Sequence, residues 1–265
     1  MTVLAWDQIG ERRYETGVDR GVLYVPDGDA VPWNGLVSVN ESPEGGTLSS
    51  YFFDGKKYLD VYSGQDYKAV LEAFTYPDEF AQFDGLATVE SGMFATYQPR
   101  STFGLSYRTR VGLDTDPNAG YKIHLIYNAT AVPAAKNYST IDDSADVLNM
   151  QWDIYAVPME VPGFKPTAHI VIDSTQIDDP FLLQIIEEML YGYEDGEAYL
   201  PTPYELASLI GSWSGIVITD NGDGTWTAVG DDRLVDLITS EEFVIIYANA
   251  VYPDPDYFTI SSSLT

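Results

Sequence analysis

Two histidines and a few carboxylates are the residues in this sequence whose types could do chemistry. His124 and His169 each lie on the polar face of a predicted strand, with Asp153 and Asp173 expected nearby on that face. Two histidines and one carboxylate can hold a metal ion. Barrel sites of that kind usually draw two ligands from one strand, and neither histidine has a His or Asp two positions away. The spacing therefore favours solvent-facing or paired histidines, and no metal site is predicted.

Two acidic turns resemble calcium loops. Residues 219–230 read TDNGDGTWTAVG. An EF-hand loop needs oxygen ligands at positions 1, 3 and 5 and a Glu at position 12. Counted from Asp220, positions 3 and 5 are glycines and position 12 is Asp231. The Asn-Gly and Asp-Gly pairs predict instead a metal-free hairpin, because tight hairpin turns need residues with positive φ. A second stretch, 114–118, lacks the required Gly and Glu and also predicts a turn.

Other catalytic arrangements find little support. The chain has no cysteine, which excludes thiol nucleophiles and thiolate metal sites. It also has no G-x-S-x-G elbow and no glycine-rich phosphate loop. A glycosidase needs only two carboxylates, so the 41 acidic residues leave an acid-dependent hydrolase open. The sequence predicts a protein that is not an enzyme and that needs no cofactor.

The charge of the chain is strongly acidic. Its 265 residues include 13 Lys and Arg against 41 Asp and Glu, for a net charge of −28. Such a surface repels phosphate backbones, so tight nucleic-acid binding is not expected. The acidity indicates either solubility alone or a surface that lets DNA pass without binding it. No signal peptide and no run of about 18 apolar residues is evident, so we expect a soluble protein.

Alternating hydrophobicity predicts a mainly β chain. Clear alternation occurs in four segments, 105–111, 121–128, 150–157 and 167–173. Residues 51–62 predict a hairpin with a type I′ turn at Asp-Gly. The alternation predicts that the polar side chains of these strands form one surface, which could line a channel or a subunit interface. Its members are Arg108, Arg110, Lys122, His124, Gln151 and Asp153.

Two helices are predicted in the second half of the chain. Asp179 is a candidate N-cap before Pro180, and Gly192 can end that helix. A capping box with proline at its first helical position opens the second helix, at residues 202–205, and Gly211 is expected to end it. Two long connections, 77–103 and 130–148, lack periodicity and are expected to contact neighbouring subunits.

Several blocks of the sequence resemble the major tail proteins, the tube subunits, of long, non-contractile-tailed bacteriophages of actinobacteria. The blocks occur in the expected order along most of the chain. They are GERRYETGVDRGVLY (10–24), LEAFTYPDEF (71–80), YKIHLIYNA (121–129), PTAHIVID (166–173) and DGTWTA (223–228).

This resemblance implies a fold and a function. The fold would be two packed antiparallel sheets, as a sandwich or distorted barrel, with one or two flanking helices. Residues 1–212 would form this tail-tube-like domain. Separately from the resemblance, the turn signals, apolar runs and acidity after the second helix predict a small β module on the exterior, residues 213–265. Six subunits would form rings that stack into a tube, through which the genome passes without specific binding. The tape measure, tail terminator and distal tail proteins would be partners. The protein would be made in the bacterial cytoplasm and reside in the virion tail, with no membrane partner.

The residues expected at the self-assembly interface come from three regions. They are Arg12, Arg13, Tyr14, Glu15, Asp78, Phe80, Phe83, Arg108 and Arg110. An alternative function is an extracellular carbohydrate-binding or adhesive β-sandwich protein. That function would need an exposed aromatic platform, for which the candidates are Trp33, Trp213 and Trp226.

Overall fold

A computed structural model of the chain describes residues 4–26, 28–136, 138, 148–193 and 196–212, together with the strands at 217–220, 226–230, 245–247, 250–252 and 258–262. The mainly β fold predicted from the sequence is confirmed. A large antiparallel sheet is accompanied by small sheets and two α-helices, and the large sheet does not close into a barrel.

The first nine strands are β1 (Arg13–Tyr24), β2 (Ala30–Pro32), β3 (Leu36–Glu41), β4 (Glu44–Gly45), β5 (Leu48–Phe53), β6 (Lys56–Tyr62), β7 (Gln65–Ala73), β8 (Ala87–Glu90) and β9 (Met93–Ala95). The other nine are β10 (Phe103–Leu113), β11 (Gly120–Pro133), β12 (Met150–Ala156), β13 (His169–Asp173), β14 (Val217–Asp220), β15 (Trp226–Gly230), β16 (Ile245–Tyr247), β17 (Ala250–Tyr252) and β18 (Phe258–Ser262). The α-helices are α1 (Pro180–Tyr191) and α2 (Pro203–Ser212), and 3₁₀ turns lie at Asp78–Gln82 and Ser174–Gln176.

The large sheet has the strand order β2-β1-β10-β11-β12-β7-β3, with β13 paired to β11 and β4 paired to β7. The 14-residue strand β11 joins its two halves. Its first part pairs with β10 and β13, and its last part pairs with β12. Asn128 lies between these parts with a φ of 47°, a left-handed conformation that Asn tolerates better than most residues. This change of partners allows the sheet to curl.

The curl buries one face of the sheet as the hydrophobic core. Phe80 lies at its centre, with its ring centroid 4.5 Å from that of Trp33, 5.2 Å from that of Trp152 and 5.4 Å from that of Phe103. Aromatic rings at these spacings add to the stability gained from burial alone. The core comprises Leu23, Trp33, Ala69, Leu71, Ala73, Phe80, Phe83, Phe103, Leu105, Tyr107, Ile126, Ala129, Ala131, Trp152 and Ile154.

The opposite face of β10 is also buried at its start. Ser106 is fully buried there, and its hydroxyl lies 3.1 Å from that of Tyr24. The Tyr24 hydroxyl donates to the carbonyl of Leu190, near the end of α1. On the same side, an added Cβ at Gly104 would approach a methyl carbon of Leu200 to 2.6 Å. The alternation of polar and apolar residues predicts one solvent-exposed face for β10, whereas residues 103–107 are buried on both faces.

Both helices begin where their capping residues predicted. The Asp179 carboxylate accepts the backbone N–H of Phe181 at 2.9 Å, and α1 ends before Gly192, which has a φ of 80°. The second helix starts at Pro203 and continues to Ser212, one residue beyond the expected end at Gly211. Neither helix in the described part of the chain has the length and apolar character needed to cross a membrane.

The chain divides into two compact units. The first comprises residues 1–176 and 187–204, and the second comprises residues 177–186 and 205–265. The second unit therefore includes the start of α1 and most of α2, both of which lie within the predicted domain 1–212. The separate exterior module of residues 213–265 stays a prediction.

In the second unit, β14 and β15 pair antiparallel, with Asp220 opposite Trp226. They form the two strands of the hairpin predicted from TDNGDGTWTAVG. The turn itself, 221–225, lies outside the described residues, as do the side chains of this region. Residues 114–118, the second acidic stretch that resembled a calcium loop, form a turn between β10 and β11. In this turn the Asp116 carboxylate accepts the backbone N–H of Asn118 at 2.9 Å.

Candidate assembly surface and histidine cluster

Within the described part of the chain, a large group of exposed apolar side chains lies on the hairpin of β5 and β6. Its turn, Asp54-Gly55, has φ values of 49° and 71°, as the type I′ prediction requires. Cross-strand pairs run from Leu48 opposite Tyr62 to Phe53 opposite Lys56. Every residue of both strands is exposed. The hairpin therefore extends from the protein with neither face covered by the rest of the described chain.

The composition of this hairpin is unusual for an exposed element. Eight of its large apolar side chains are exposed by 43% to 78%. A two-stranded ribbon in water is marginally stable on its own. Contiguous exposed apolar area of this kind typically marks a protein contact. The eight residues are Leu48, Tyr51, Phe52, Phe53, Tyr58, Leu59, Val61 and Tyr62.

A second, smaller hairpin lies within the connection 77–103. Strands β8 and β9 carry three exposed apolar side chains, Val89, Met93 and Phe94, and Tyr97 after them is 91% exposed. The same connection also contributes to the core, through Phe80 and its neighbours. It is therefore partly a core element and partly an exposed hairpin, and not a uniform loop. In the second long connection, 130–148, residues 130–133 belong to β11. Residue 137 and residues 139–147 lie outside the described residues.

The residues predicted at the assembly interface differ in burial. Phe80 and Phe83 are fully buried in the core, so they are not available to a neighbouring subunit. This corrects their prediction as interface residues: their aromatic side chains fill the curl of the sheet. Exposed positions are held by Arg12, Arg13, Tyr14, Glu15, Asp78 and Arg110, and their role in assembly stays a prediction.

The arginines of β10 are paired within the chain. The guanidinium of Arg108 donates to Asp19 at 2.7 and 3.2 Å, and that of Arg110 donates to the same carboxylate at 2.9 Å. These hydrogen bonds, led by those from Arg108, hold the pKa of Asp19 below its ordinary value, although burial opposes the effect. Arg108 also lies over the ring of Tyr121, 4.7 Å from its centroid. Both arginines therefore have an acidic partner within the same chain.

The polar surface predicted from alternation does not exist as one face. Tyr107 lies opposite His124, and Thr109 lies opposite Lys122. Because directly paired residues of neighbouring strands share a face, Lys122 and His124 lie on the core side of the sheet. Arg108 and the other even-numbered residues of β10 lie on the opposite side. Lys122 forms an ion pair with Glu15.

The curl brings the two histidines and an unpredicted carboxylate together. His124 Nδ1 lies 3.1 Å from His169 Nε2, and Glu41 Oε1 lies 3.6 Å and 3.5 Å from these two nitrogens. The hydroxyl of Tyr107 donates to the same Glu41 oxygen at 2.5 Å. Glu41 occupies the position beside the histidines that was predicted for Asp153 or Asp173. We call Glu41, His124 and His169 the histidine cluster.

The carboxylates expected near the histidines are elsewhere. Asp173 accepts hydrogen bonds from the backbone N–H and the hydroxyl of Thr175, at 2.9 and 2.7 Å. Asp153 alternates with the buried Trp152 and Ile154 along β12, so it lies on the face away from the core. No sequence pattern links Glu41 to the histidines, because β3 reaches them only through the curl.

The ionisation of the histidine cluster reflects these contacts. The His124 imidazole, 3.6 Å away, is the largest influence on Glu41, and together with the Tyr107 hydroxyl it lowers the pKa of that carboxyl to about 2. Burial lowers the pKa of His169 and outweighs the opposite effect of the Glu41 charge. A carboxylate and a neutral imidazole are both metal-binding forms.

One of the three tryptophans predicted for the aromatic platform of a carbohydrate-binding protein is buried. Trp33 is 3% exposed and donates its indole N–H to the carbonyl of Thr75 at 3.0 Å. It is therefore a core residue and cannot stack on a sugar. The side chains of Trp213 and Trp226 lie outside the described residues.

No protein-family model and no curated protein sequence matches the chain. Several solved structures are similar in part. A sheath–tube complex of an extracellular contractile injection system, PVC, in the extended state has a chain with 12% identity and a TM-score of 0.30, covering 58% of this chain and 88% of that one. The six-fold symmetrised anti-feeding prophage baseplate gives 10% identity and a TM-score of 0.31, covering 66% and 100%. The PVC sheath/tube terminator gives 14% identity and a TM-score of 0.32, covering 60% and 97%. At these scores the similarity does not indicate what this chain does.

Proposed function

We propose that the protein is a structural subunit of a bacteriophage tail tube and that the hairpin of β5 and β6 binds the next copy of the same chain. Copies would form rings of six that stack into a tube conducting the genome, with the other tail proteins as partners. The protein would act in the virion and catalyse no reaction. The observation that carries the proposal is the exposure of eight large apolar side chains on one hairpin. The sequence blocks that resemble tail proteins support a phage tail as the assembly.

The energetics of the hairpin favour a bound state. Full burial of one large apolar side chain stabilises by roughly 1.5–3 kcal/mol. Covering the exposed parts of eight such side chains would supply on the order of 10 kcal/mol. That amount is comparable to the cost of association, about 4–15 kcal/mol in lost translational and rotational freedom. A single contact would then be reversible, whereas a subunit held by several contacts in a ring would be retained.

The charge of the hairpin also suits contact between identical chains. Two acidic subunits, each with a net charge of −28, repel one another. Residues 48–62 contain two Lys and two Asp, so this segment has no net charge. An uncharged apolar arm can approach a copy of the same protein with a smaller electrostatic penalty than most of its surface could. The hairpin is thus suited to self-association, in both shape and charge.

The proposal is tested by changing the hairpin without changing the core. The double variant Phe52→Ser, Tyr58→Ser should keep the circular dichroism and melting temperature of the parent chain but form no rings or tubes in negative-stain microscopy. Its matched control is Val157→Ser, Phe164→Ser, which alters two side chains exposed by 60% and 78% outside the hairpin. The control should assemble like the parent chain. Normal tubes from the hairpin variant would show that this surface has no assembly role.

Whether the connection 77–103 contacts a neighbouring subunit should be tested by changing only part of it. Asp84 in that connection is buried and bonded to the core, so a deletion should begin after it. Replacing residues 88–94 by a short Gly-Ser turn should leave a folded chain. If β8 and β9 contact a neighbouring subunit, light scattering of this variant should show smaller assemblies than those of the parent chain. Assemblies of unchanged mass would remove this hairpin from the interface.

A further inference from the structure

We propose that the histidine cluster is a zinc site, formed by Glu41 of β3, His124 of β11 and His169 of β13. The three candidate ligand atoms form a triangle with sides of 3.1, 3.5 and 3.6 Å. A point equidistant from them lies about 2.0 Å from each, within the normal lengths of bonds from zinc to His nitrogen and carboxylate oxygen. An ion could therefore bind with little movement of these side chains.

The dimensions of the triangle favour a tetrahedral ion. Ligands bound at about 2.0–2.1 Å in tetrahedral geometry are separated by about 3.3 Å, whereas octahedral geometry at similar bond lengths brings them to about 2.9–3.0 Å. Two of the three observed sides are longer than the tetrahedral value. Zinc is the common tetrahedral ion bound by imidazole and carboxylate, and three protein ligands leave its fourth position for water. Calcium and magnesium prefer sets of oxygen ligands.

The ring of His124 is held with its lone pair on Nδ1, which accepts the N–H of His169 Nε2 at 3.1 Å. A metal ion would take the place of that proton. The Nε2 of His124 lies 3.1 Å from the hydroxyl oxygen of Thr109, and that hydroxyl donates its own proton to Glu15 at 2.6 Å. The Thr109 oxygen must therefore accept from Nε2–H, which leaves the lone pair of the neutral ring on Nδ1. Nδ1 is the atom that faces His169 and Glu41. Hydrogen bonds of this kind to the second nitrogen are typical of metal-binding histidines.

The carboxylate ligand is oriented in a similar way. The hydroxyl of Tyr107 donates to Glu41, and the ring of Tyr107 lies parallel to that of His124 with centroids 4.6 Å apart. The side chains of His124 and His169 are only 11% and 15% exposed, whereas that of Glu41 is 34% exposed. The cluster is thus fixed on its inner side and open to water on its outer side, which gives an ion both a rigid site and a route of entry.

Bound zinc would join the edge strand β3 to the strands β11 and β13. No hydrogen-bonded ladder within the described residues connects β3 to β11 or β13. A metal ion would link them directly and neutralise the charge of Glu41. By mass action, zinc at 100 times its dissociation constant would raise the melting temperature by about 5–10 °C for a protein of this size. The site does not depend on the proposed role in a tail.

The two histidines allow a direct test on the unmodified chain, because it contains no others. The ¹⁵N signals of both imidazoles would be recorded by NMR during titration with zinc sulfate, in the presence of excess calcium to occupy non-specific acidic sites. We expect saturation at one zinc per chain, with His124 Nδ1 and His169 Nε2 shifting as metal-bound nitrogens and His124 Nε2 staying protonated. Unchanged imidazole signals would overturn the proposal.

Variants distinguish this site from zinc held on the acidic surface. After dialysis, elemental analysis should find one zinc per parent chain and none in Glu41→Gln or His169→Gln. The matched control Asp173→Asn, which changes a carboxylate bonded to Thr175, should retain the ion. Cobalt should give the intense visible absorption of a tetrahedral site in the parent and control chains. Equal zinc in all four proteins would contradict the assignment.

Discussion

Replacing Asp84 with alanine should lower the free energy of unfolding by about 3 kcal/mol. Its carboxylate accepts the indole N–H of Trp152 at 2.8 Å and contacts the Lys136 ammonium at 3.1 Å. Trp152 is fully buried, so its N–H would be left as an unsatisfied buried donor, which costs about 1–3 kcal/mol. Removing one side of a fully buried ion pair costs about 3–5 kcal/mol. Because the side chain of Lys136 is 24% exposed and can turn to water, we expect the lower end of that range.

The chemistry of the replacement makes this prediction specific. Asn at position 84 keeps an oxygen that can accept the indole N–H, so Asp84→Asn should cost only about 1 kcal/mol. Asp78→Ala is the matched control, because Asp78 lies in the same connection but is exposed, and its change should stay within about 0.5 kcal/mol. Urea unfolding followed by tryptophan fluorescence and circular dichroism would measure all three. For alanine the melting temperature should fall by about 6–12 °C.

The ranking of the three variants decides the interpretation. If Asp84→Ala is as stable as Asp78→Ala, the bond to Trp152 does not contribute to the core, and the connection 77–103 is not anchored there. If Asp84→Asn is as damaging as Asp84→Ala, the negative charge matters more than the hydrogen bond. Either result would refute the reasoning from the buried indole.

Three further predictions follow from the same structure. Phe80→Ala should destabilise the chain by about 3–5 kcal/mol in urea unfolding, because it leaves a cavity at the centre of the core. Hydrogen bonds from Arg108 stabilise Asp19 as a carboxylate and lower its pKa in the folded protein. The contribution of Asp19 to folding stability is therefore complete above its ordinary pKa and is lost as the pH falls through the lowered pKa of the folded state. Asp19→Asn should make the free energy of unfolding depend less steeply on pH on the acid side. Gly55→Val should destabilise the hairpin by about 1–2 kcal/mol, since φ at Gly55 is 71°, and faster hydrogen exchange of the β5 and β6 amides would show it.

Local features of this fold were predictable from the sequence because their causes lie within a few residues. The turn at Asp54-Gly55 has positive φ because Gly carries no Cβ and Asp tolerates that conformation. Helix α1 begins after Asp179 because the side chain satisfies a free backbone donor there. Alternation identified β12 because one of its faces contacts the core. Each of these patterns needs no knowledge of a distant partner.

The pairing between strands was not predictable in the same way. Alternation shows which residues of one strand share a face, but it does not say which face of the next strand they join. Polarity alone predicts that Arg108 and His124 share a face, whereas the register of β10 and β11 puts them on opposite faces. Phe80 and Phe83 lie in a connection without periodicity, so the sequence does not predict that they fill the interior of the curled sheet.

The histidine cluster shows why long-range geometry matters most for the chemistry of this chain. The sequence places Glu41 83 residues from His124 and 128 residues from His169, with many other carboxylates closer to each. Its selection depends on three facts that act together: β3 pairs with β7, the sheet curls through β12 and β11, and Tyr107 fixes the carboxylate against His124. In a chain with 41 acidic residues, composition could not have identified this one. The acidic residue that could hold an ion is distinguished by its neighbours, since Glu41 lies between two imidazoles whereas Asp19 lies between two guanidinium groups.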